Sequence, residues 1–273
     1  MQNQDSGGLV RHPAVAGTFY PGKKEELEEM VGDFLRRSRT VGFPGKIRAL
    51  IVPHAGYIYS GIVAAAGYKL LKDTKFKKFI ILGPSHYVSF KGVAFSTDDH
   101  WSTPLGDIPV MKLQETDILK HVEGAHFQEH AIETQLPFLQ MAVKDFRIMP
   151  LVLGNVSPEK LANELIGFMH DDTFIIVSSD LSHYHTYTEA MKKDLVANER
   201  IQSVDLEGTK SVEACGINGI MTLLHIAKHF GWKGILLDYK NSGDTAGDKN
   251  RVVGYGCYGF YEENKPKGKE VSS

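Results

Sequence analysis

Three short apolar runs in this chain each lead into a turn that carries a histidine. They are Leu50-Ile51-Val52-Pro53-His54, Ile80-Ile81-Leu82-Gly83-Pro84-Ser85-His86 and Ile175-Ile176-Val177-Ser178-Ser179-Asp180-Leu181-Ser182-His183. Unbroken apolar runs of this length read as buried strands, the habit of a parallel sheet covered on both faces. In an open sheet of that kind the carboxyl ends of neighbouring strands border one crevice, and ligands bind there. Imidazoles and a carboxylate delivered to that crevice are the material of a metal site or an acid/base site.

The rest of the chain fits such a sheet. Leu27, Met30, Val31, Phe34 and Leu35 recur at helical spacing among charges, which predicts an amphipathic helix over 24–38. Residues 47–53 predict a buried strand, 60–71 a helix of small apolar residues packed closely on a sheet, and 77–82 the next strand. That strand–helix–strand unit implies parallel pairing with a right-handed crossover. Shorter strands are expected at 92–97 and 107–110 around a turn at 101–106. A helix at 131–143, a strand at 148–153, a helix at 159–169 and a strand at 173–177 follow. Helices at 189–201 and 211–227 and strands at 234–239 and 253–261 close the chain, the last strand antiparallel. The alternation predicts a three-layer α/β/α sandwich with a mostly parallel central sheet. No linker, repeat or low-complexity segment interrupts it. One domain over 1–273 is therefore expected, with 1–10 and 264–273 as flexible tails.

Composition narrows the function classes. A net charge of −2 gives no basic field for nucleic acid. The apolar runs fall short of the roughly 20 residues that span a bilayer. Residues 1–10 contain no apolar core of a secretory leader. The only cysteines are Cys215 and Cys257, a sparse usage that suits a reducing compartment. A cytoplasmic protein with no nucleic-acid or membrane partner is expected.

His54 and His86 stand at corresponding places past two strands, where adjacent parallel strands set side chains next to each other. Small residues around each, Ala55 and Gly56 or Gly83 and Ser85, let the backbone turn and leave the imidazole facing the crevice. Asp180 and His183 share a loop dense in serines, and an Asp beside a His fixes its tautomer and raises its basicity. An Asp or Ser there also serves as a helix cap. His130 and Glu133 are three apart at the start of a predicted helix, on one face; a Glu in a first turn is equally a cap and dipole partner. Cys215, just before Gly216-Ile217-Asn218-Gly219, lies near the start of the helix predicted over 211–227, where a thiol favours its thiolate form. A buried cysteine acting as a small hydrophobe is the first reading of Cys215 from the residues alone. Cys257, in mid-strand, reads as core, and His225 and His229 as one face of a surface helix.

Several of these segments together resemble the Memo family, a relative of the class III extradiol dioxygenases of the LigB type. They are Arg11-His12-Pro13-Ala14-Val15-Ala16-Gly17-Thr18-Phe19-Tyr20-Pro21, Val52-Pro53-His54-Ala55-Gly56-Tyr57, Leu82-Gly83-Pro84-Ser85-His86, Glu129-His130-Ala131-Ile132-Glu133, Ser178-Ser179-Asp180-Leu181-Ser182-His183 and Ala214-Cys215-Gly216. They span nearly the whole chain in the family's order. The resemblance implies a LigB-like fold and a metal held by His54, His86 and Cys215, which raises Cys215 from core residue to ligand. It implies His183 as general acid/base, Asp180 orienting it or lining the pocket, and His130 and Glu133 nearby. The dioxygenases carry a carboxylate where Cys215 stands, completing a two-histidine, one-carboxylate iron site. A thiolate is softer than a carboxylate, so copper or zinc competes with iron more readily; iron or copper is the expected metal, with zinc as the alternative. Family members are described both as redox-active metal proteins and as signalling adaptors. In microbes they accompany AMMECR-type and radical-SAM proteins.

Two functions follow as expectations. One is a redox metalloenzyme, oxygenase-like, that takes a small-molecule substrate in the crevice while His183 moves protons. The other is a module that docks a peptide or protein in the same crevice without turnover. A hydrolytic zinc enzyme is a third reading.

Overall fold

The computed structural model describes residues 8–263. The tail expected at 264–273 and most of that expected at 1–10 lie outside the described residues. The chain begins with β1 (Val10–Arg11), α1 (Lys24–Arg37), β2 (Gly45–Val52), α2 (Tyr57–Tyr68) and β3 (Lys78–Pro84). Then come β4 (Val93–Phe95), β5 (His100–Thr103), β6 (Gly106–Pro109), β7 (Leu119–Lys120), α3 (Leu136–Ala142), β8 (Arg147–Leu153), α4 (Pro158–Ile166) and β9 (Thr173–Ser178). The last part contains β10 (His183–His185), α5 (Tyr187–Gln202), α6 (Leu206–Thr209), α7 (Ile217–Phe230), β11 (Lys233–Asn241), α8 (Ser242–Thr245) and β12 (Val252–Glu263).

The expected three-layer α/β sandwich is present. At its centre β2, β9, β3 and β8 run parallel in that order. On one side β12 joins β2 antiparallel and pairs with β11. On the other, β4 joins β8 antiparallel. A smaller sheet of β1, β5 and β6 stands apart. Period-two alternation along the buried strands sorts their side chains into two cores. Leu50, Val52, Phe79, Ile81, Phe174 and Ile176 face α1, α2 and α3. Ala49, Ile51, Ile80, Leu82, Ile175 and Val177 face α4, α5 and α7. Each fully buried Leu, Ile or Phe among them contributes about 1.5–3 kcal/mol. Among the described residues no helix is long and apolar enough to cross a membrane.

Local signals explain several helix ends. Glu25 and Glu26 in the first turn of α1 and Arg36 and Arg37 in its last complement the helix dipole. Thr186 and Glu189 form a capping box at α5. Gly231, at φ 70°, closes α7 in the left-handed conformation.

Four expectations need correction. β2 and β3 are not neighbours, because β9 lies between them. The chain returns through α4, packed on the face opposite α2, and inserts β9 there. The expected turn at 101–106 is a hairpin: Trp101 and Thr103 alternate inward in β5, Pro104 and Leu105 turn, and Gly106, at φ 115°, opens β6 opposite Thr103. The helix expected at 131–143 starts at Leu136 after a single 3₁₀ turn, with Pro137 in its first turn. Proline is favoured there and disfavoured farther inside a helix. The helix expected at 211–227 covers Ile217–Phe230, so Cys215 sits in the turn before it.

Candidate metal centre

His54 leaves the end of β2, His86 follows the end of β3, and Ser178 closes β9 between them. Ser178 is small, so the two imidazoles meet over it with ring centroids 5.2 Å apart. Cys215 arrives from the turn before α7, placing its Sγ 3.3 Å from His54 Nε2. One ligand atom from each of His54, His86 and Cys215 lies within 4.8 Å of the other two. Donor atoms about 2.0–2.3 Å from one ion are themselves separated by roughly 3–4 Å. The donor set therefore fits a metal ion after small side-chain adjustments.

The surrounding hydrogen bonds fix which imidazole nitrogen is bare. Ser178 Oγ donates to Ala131 O at 2.6 Å and so accepts from His54 Nδ1 at 2.9 Å. That leaves His54 Nε2 with its lone pair toward Cys215. Glu129 treats His86 alike: Oε1 is 2.9 Å from His86 Nδ1, and Oε2 accepts the His86 backbone N–H at 2.7 Å. Carboxylates that hold the far nitrogen of a ligating histidine orient the ring and raise its basicity.

The sulfur is positioned by backbone. The Asp180 N–H points at Cys215 Sγ from 3.2 Å, and the Cys215 N–H donates to Asp180 O at 3.3 Å. Gly216 lets the turn approach β9, since a Cβ there would come within 2.7 Å of both Ser178 O and Ser179 Cβ.

Burial sets the charge states. It drives His54 down to about 3, with the neighbouring His86 adding to the effect. It drives His130 down to about 4, assisted by His54. It pushes the Cys215 thiol up to about 12, with the Asp180 charge adding to it. Burial also opposes ionisation of Glu129, yet hydrogen bonds from His86 and Ala131 outweigh it and hold the carboxyl at about 2. Without an ion the pocket thus favours neutral imidazoles at His54 and His130 and a neutral thiol at Cys215. A bound cation reverses that preference for the thiol.

The other expected site residues divide. Asp180 is buried and accepts the His54 backbone N–H at 2.8 Å. Burial raises its pKa, against the pull of that bond and of the His183 charge. His183 is half-buried in β10, and its charge also acts on His54. Its backbone N–H is held by Glu213 at 3.0 Å. The ring of His130 stacks on His86 with centroids 4.7 Å apart.

Glu133 is not with them. Its carboxylate binds Arg11 Nη1 at 2.6 Å, Tyr20 Oη at 2.7 Å and the N–H groups of Ala14 and Val15. It anchors the N-terminal segment. The one-face expectation fails because residues 129 and 130 lie outside any helix and 131–132 form a turn before the 3₁₀ turn at Glu133. Glu129, four residues earlier, is the carboxylate at the site. Its signal is adjacency to His130. Tyr87 also belongs at the site, with Oη 3.5 Å from His130 Nδ1. A cavity of about 380 Å³ opens beside the cluster, lined by His86, Tyr87, Asn155, Ser178, Cys215 and Asn218 among others.

Comparison with known proteins gives the chain a family. The model of the Memo-like protein family matches residues 11–258. The chain belongs to the Memo family. It is 40% identical over 268 residues to a MEMO1 family protein of Aquifex aeolicus, covering 90% of this chain and 97% of that protein. A MEMO1 family protein of Thermoplasma acidophilum is 35% identical over 262 residues, with 90% and 97% covered. One of Sulfurisphaera tokodaii is 37% identical over 281 residues, with 90% and 98% covered. The Memo match runs from Arg11, whose guanidinium meets Glu133, to Tyr258 in β12, so it includes every residue placed at the site.

Proposed function

We propose that this Memo-family chain is a redox metalloenzyme that holds iron or copper on His54, His86 and Cys215 and works on a small molecule in the adjoining cavity. The observation that supports the reading is the convergence of two bare imidazole nitrogens and one sulfur, with His86 and Cys215 lining the adjoining cavity. Iron or copper bound there supplies electron exchange and polarises an oxygen atom of what it binds. The protein's own residues do the rest. Glu129 and Ser178 hold His86 and His54 in the ligating tautomer. The Asp180 N–H stabilises negative charge on Cys215 Sγ. His183, at the start of β10 with its backbone N–H held by Glu213, gives or takes a proton from the substrate. Tyr87, with 56% of its surface exposed, forms part of the cavity rim against which a substrate packs.

The test separates loading from turnover. The copper- or iron-loaded protein is offered a panel of phenols, catechols and thiols, and oxygen uptake is followed. Wild type is expected to consume oxygen with at least one of them. His183→Ala is expected to load equally well and to react roughly 10²–10⁴-fold more slowly, the usual worth of a positioned acid/base. Equal rates in both proteins would contradict the role of His183. Stable loading with no uptake on any substrate would favour the docking module.

A further inference from the structure

Glu129 is buried, with 1% of its surface exposed, and no Lys or Arg among the described residues pairs with it. A buried carboxylate without a fixed cation is costly. The groups that face it are the imidazoles of His86 and His130, whose Nδ1 atoms lie 2.9 and 3.7 Å from the same oxygen, Oε1. Ligand atoms of His86, Glu129 and His130 fall within 4.8 Å of one another. We propose that these residues form a second cation site, of two nitrogens and one oxygen, that overlaps the His54–His86–Cys215 site and shares His86 with it.

The two donor sets differ in softness. Thiolate with imidazoles suits Cu(I) and zinc, whereas carboxylate with imidazoles suits Fe(II) and Mn(II). The overlap makes them alternatives. His86 serves the sulfur-containing set with Nε2 while Nδ1–H bonds Glu129. An ion between His86 Nδ1 and Glu129 takes the place of that proton, which moves to Nε2. A protonated Nε2 has no lone pair for the first site. One chain therefore holds one ion, on one set or the other, and the identity of the metal decides which. The site does not depend on the redox reading above; it depends on His130, which the first set does not use.

Metal alone is the probe. Mn(II) binding is followed by loss of the free-ion electron paramagnetic resonance signal, and Cu(I) binding by competition with a chromophoric chelator. Wild type is expected to take about one Mn(II) and to release it when one equivalent of Cu(I) is added. His130→Gln should weaken Mn(II) at least about tenfold and leave Cu(I) within about threefold. Cys215→Ser should do the reverse. His130→Asn is the second variant should the first fold poorly, as judged by circular dichroism. The second site is overturned if wild type binds no Mn(II), if His130→Gln and His130→Asn leave Mn(II) unchanged, or if Cys215→Ser abolishes it. Simultaneous binding of both ions overturns their exclusivity. Unchanged Cu(I) binding in Cys215→Ser instead sinks the first site and leaves the manganese result standing.

Discussion

Glu129 and Glu133 are four residues apart, both buried, and opposite in role. Glu133, fully buried, meets a permanent cation in Arg11 and three further donors. Arg11 in turn donates to the carbonyls of His126 and Glu129 and stacks over Trp101 at 4.3 Å. Every charge there has a fixed partner, which is what a structural anchor requires. Among the described residues Glu129 meets no Lys or Arg, only the N–H groups of His86 and Ala131 and the His86 ring. Its charge has no built-in Lys or Arg to balance it. The same side chain becomes scaffold or site equipment according to whether its counter-charge is built in.

The contrast can be broken at either end. Arg11→Ala leaves Glu133 as an uncompensated buried charge and should cost about 3–5 kcal/mol. For a chain of this size that lowers the melting temperature by roughly 6–20 °C in calorimetry. The folded protein should still bind Cu(I) with near wild-type affinity. If Cu(I) binding falls in step with stability, anchor and site are one unit.

Glu129→Gln should do the opposite. The melting temperature should shift little, while Cu(I) affinity falls by about 10–100-fold, the usual worth of a carboxylate behind a ligating histidine. A chelator competition series reads it. An unchanged affinity would remove Glu129 from the site.

Tyr20→Phe is the mildest change. It deletes one of the bonds to Glu133 and should cost about 1 kcal/mol by denaturant titration, with no change in metal binding. A loss approaching that of Arg11→Ala would mean that the hydroxyl, not the guanidinium, holds the carboxylate.

The reach of the sequence differed in the same two places. The buried strands were legible because an unbroken apolar run such as Ile175-Ile176-Val177 has few other uses, and the layers followed from the alternation. Strand order was not legible, since nothing in the runs themselves says that β9 enters between β2 and β3. His54 and His86 meet all the same, but across Ser178 rather than side by side. Glu133 looked like a partner of His130 only under helical spacing, and Pro137 moves the helix start beyond both. Cys215 read as core from its residues alone, and only the family resemblance made it a ligand candidate. Its Sγ placement depends on the turn at Gly216, a tertiary approach that no local pattern encodes.

The most direct measurement is of Cu(I) bound per chain after anaerobic reconstitution, in wild type, His54→Ala and Cys215→Ser, with copper X-ray absorption on the loaded wild type. The metal centre built from His54, His86 and Cys215 predicts about one copper per chain, one sulfur among its ligands, and loss of that copper in both variants. Folded wild type that takes up no copper, or holds it without sulfur and keeps it in Cys215→Ser, would contradict that centre.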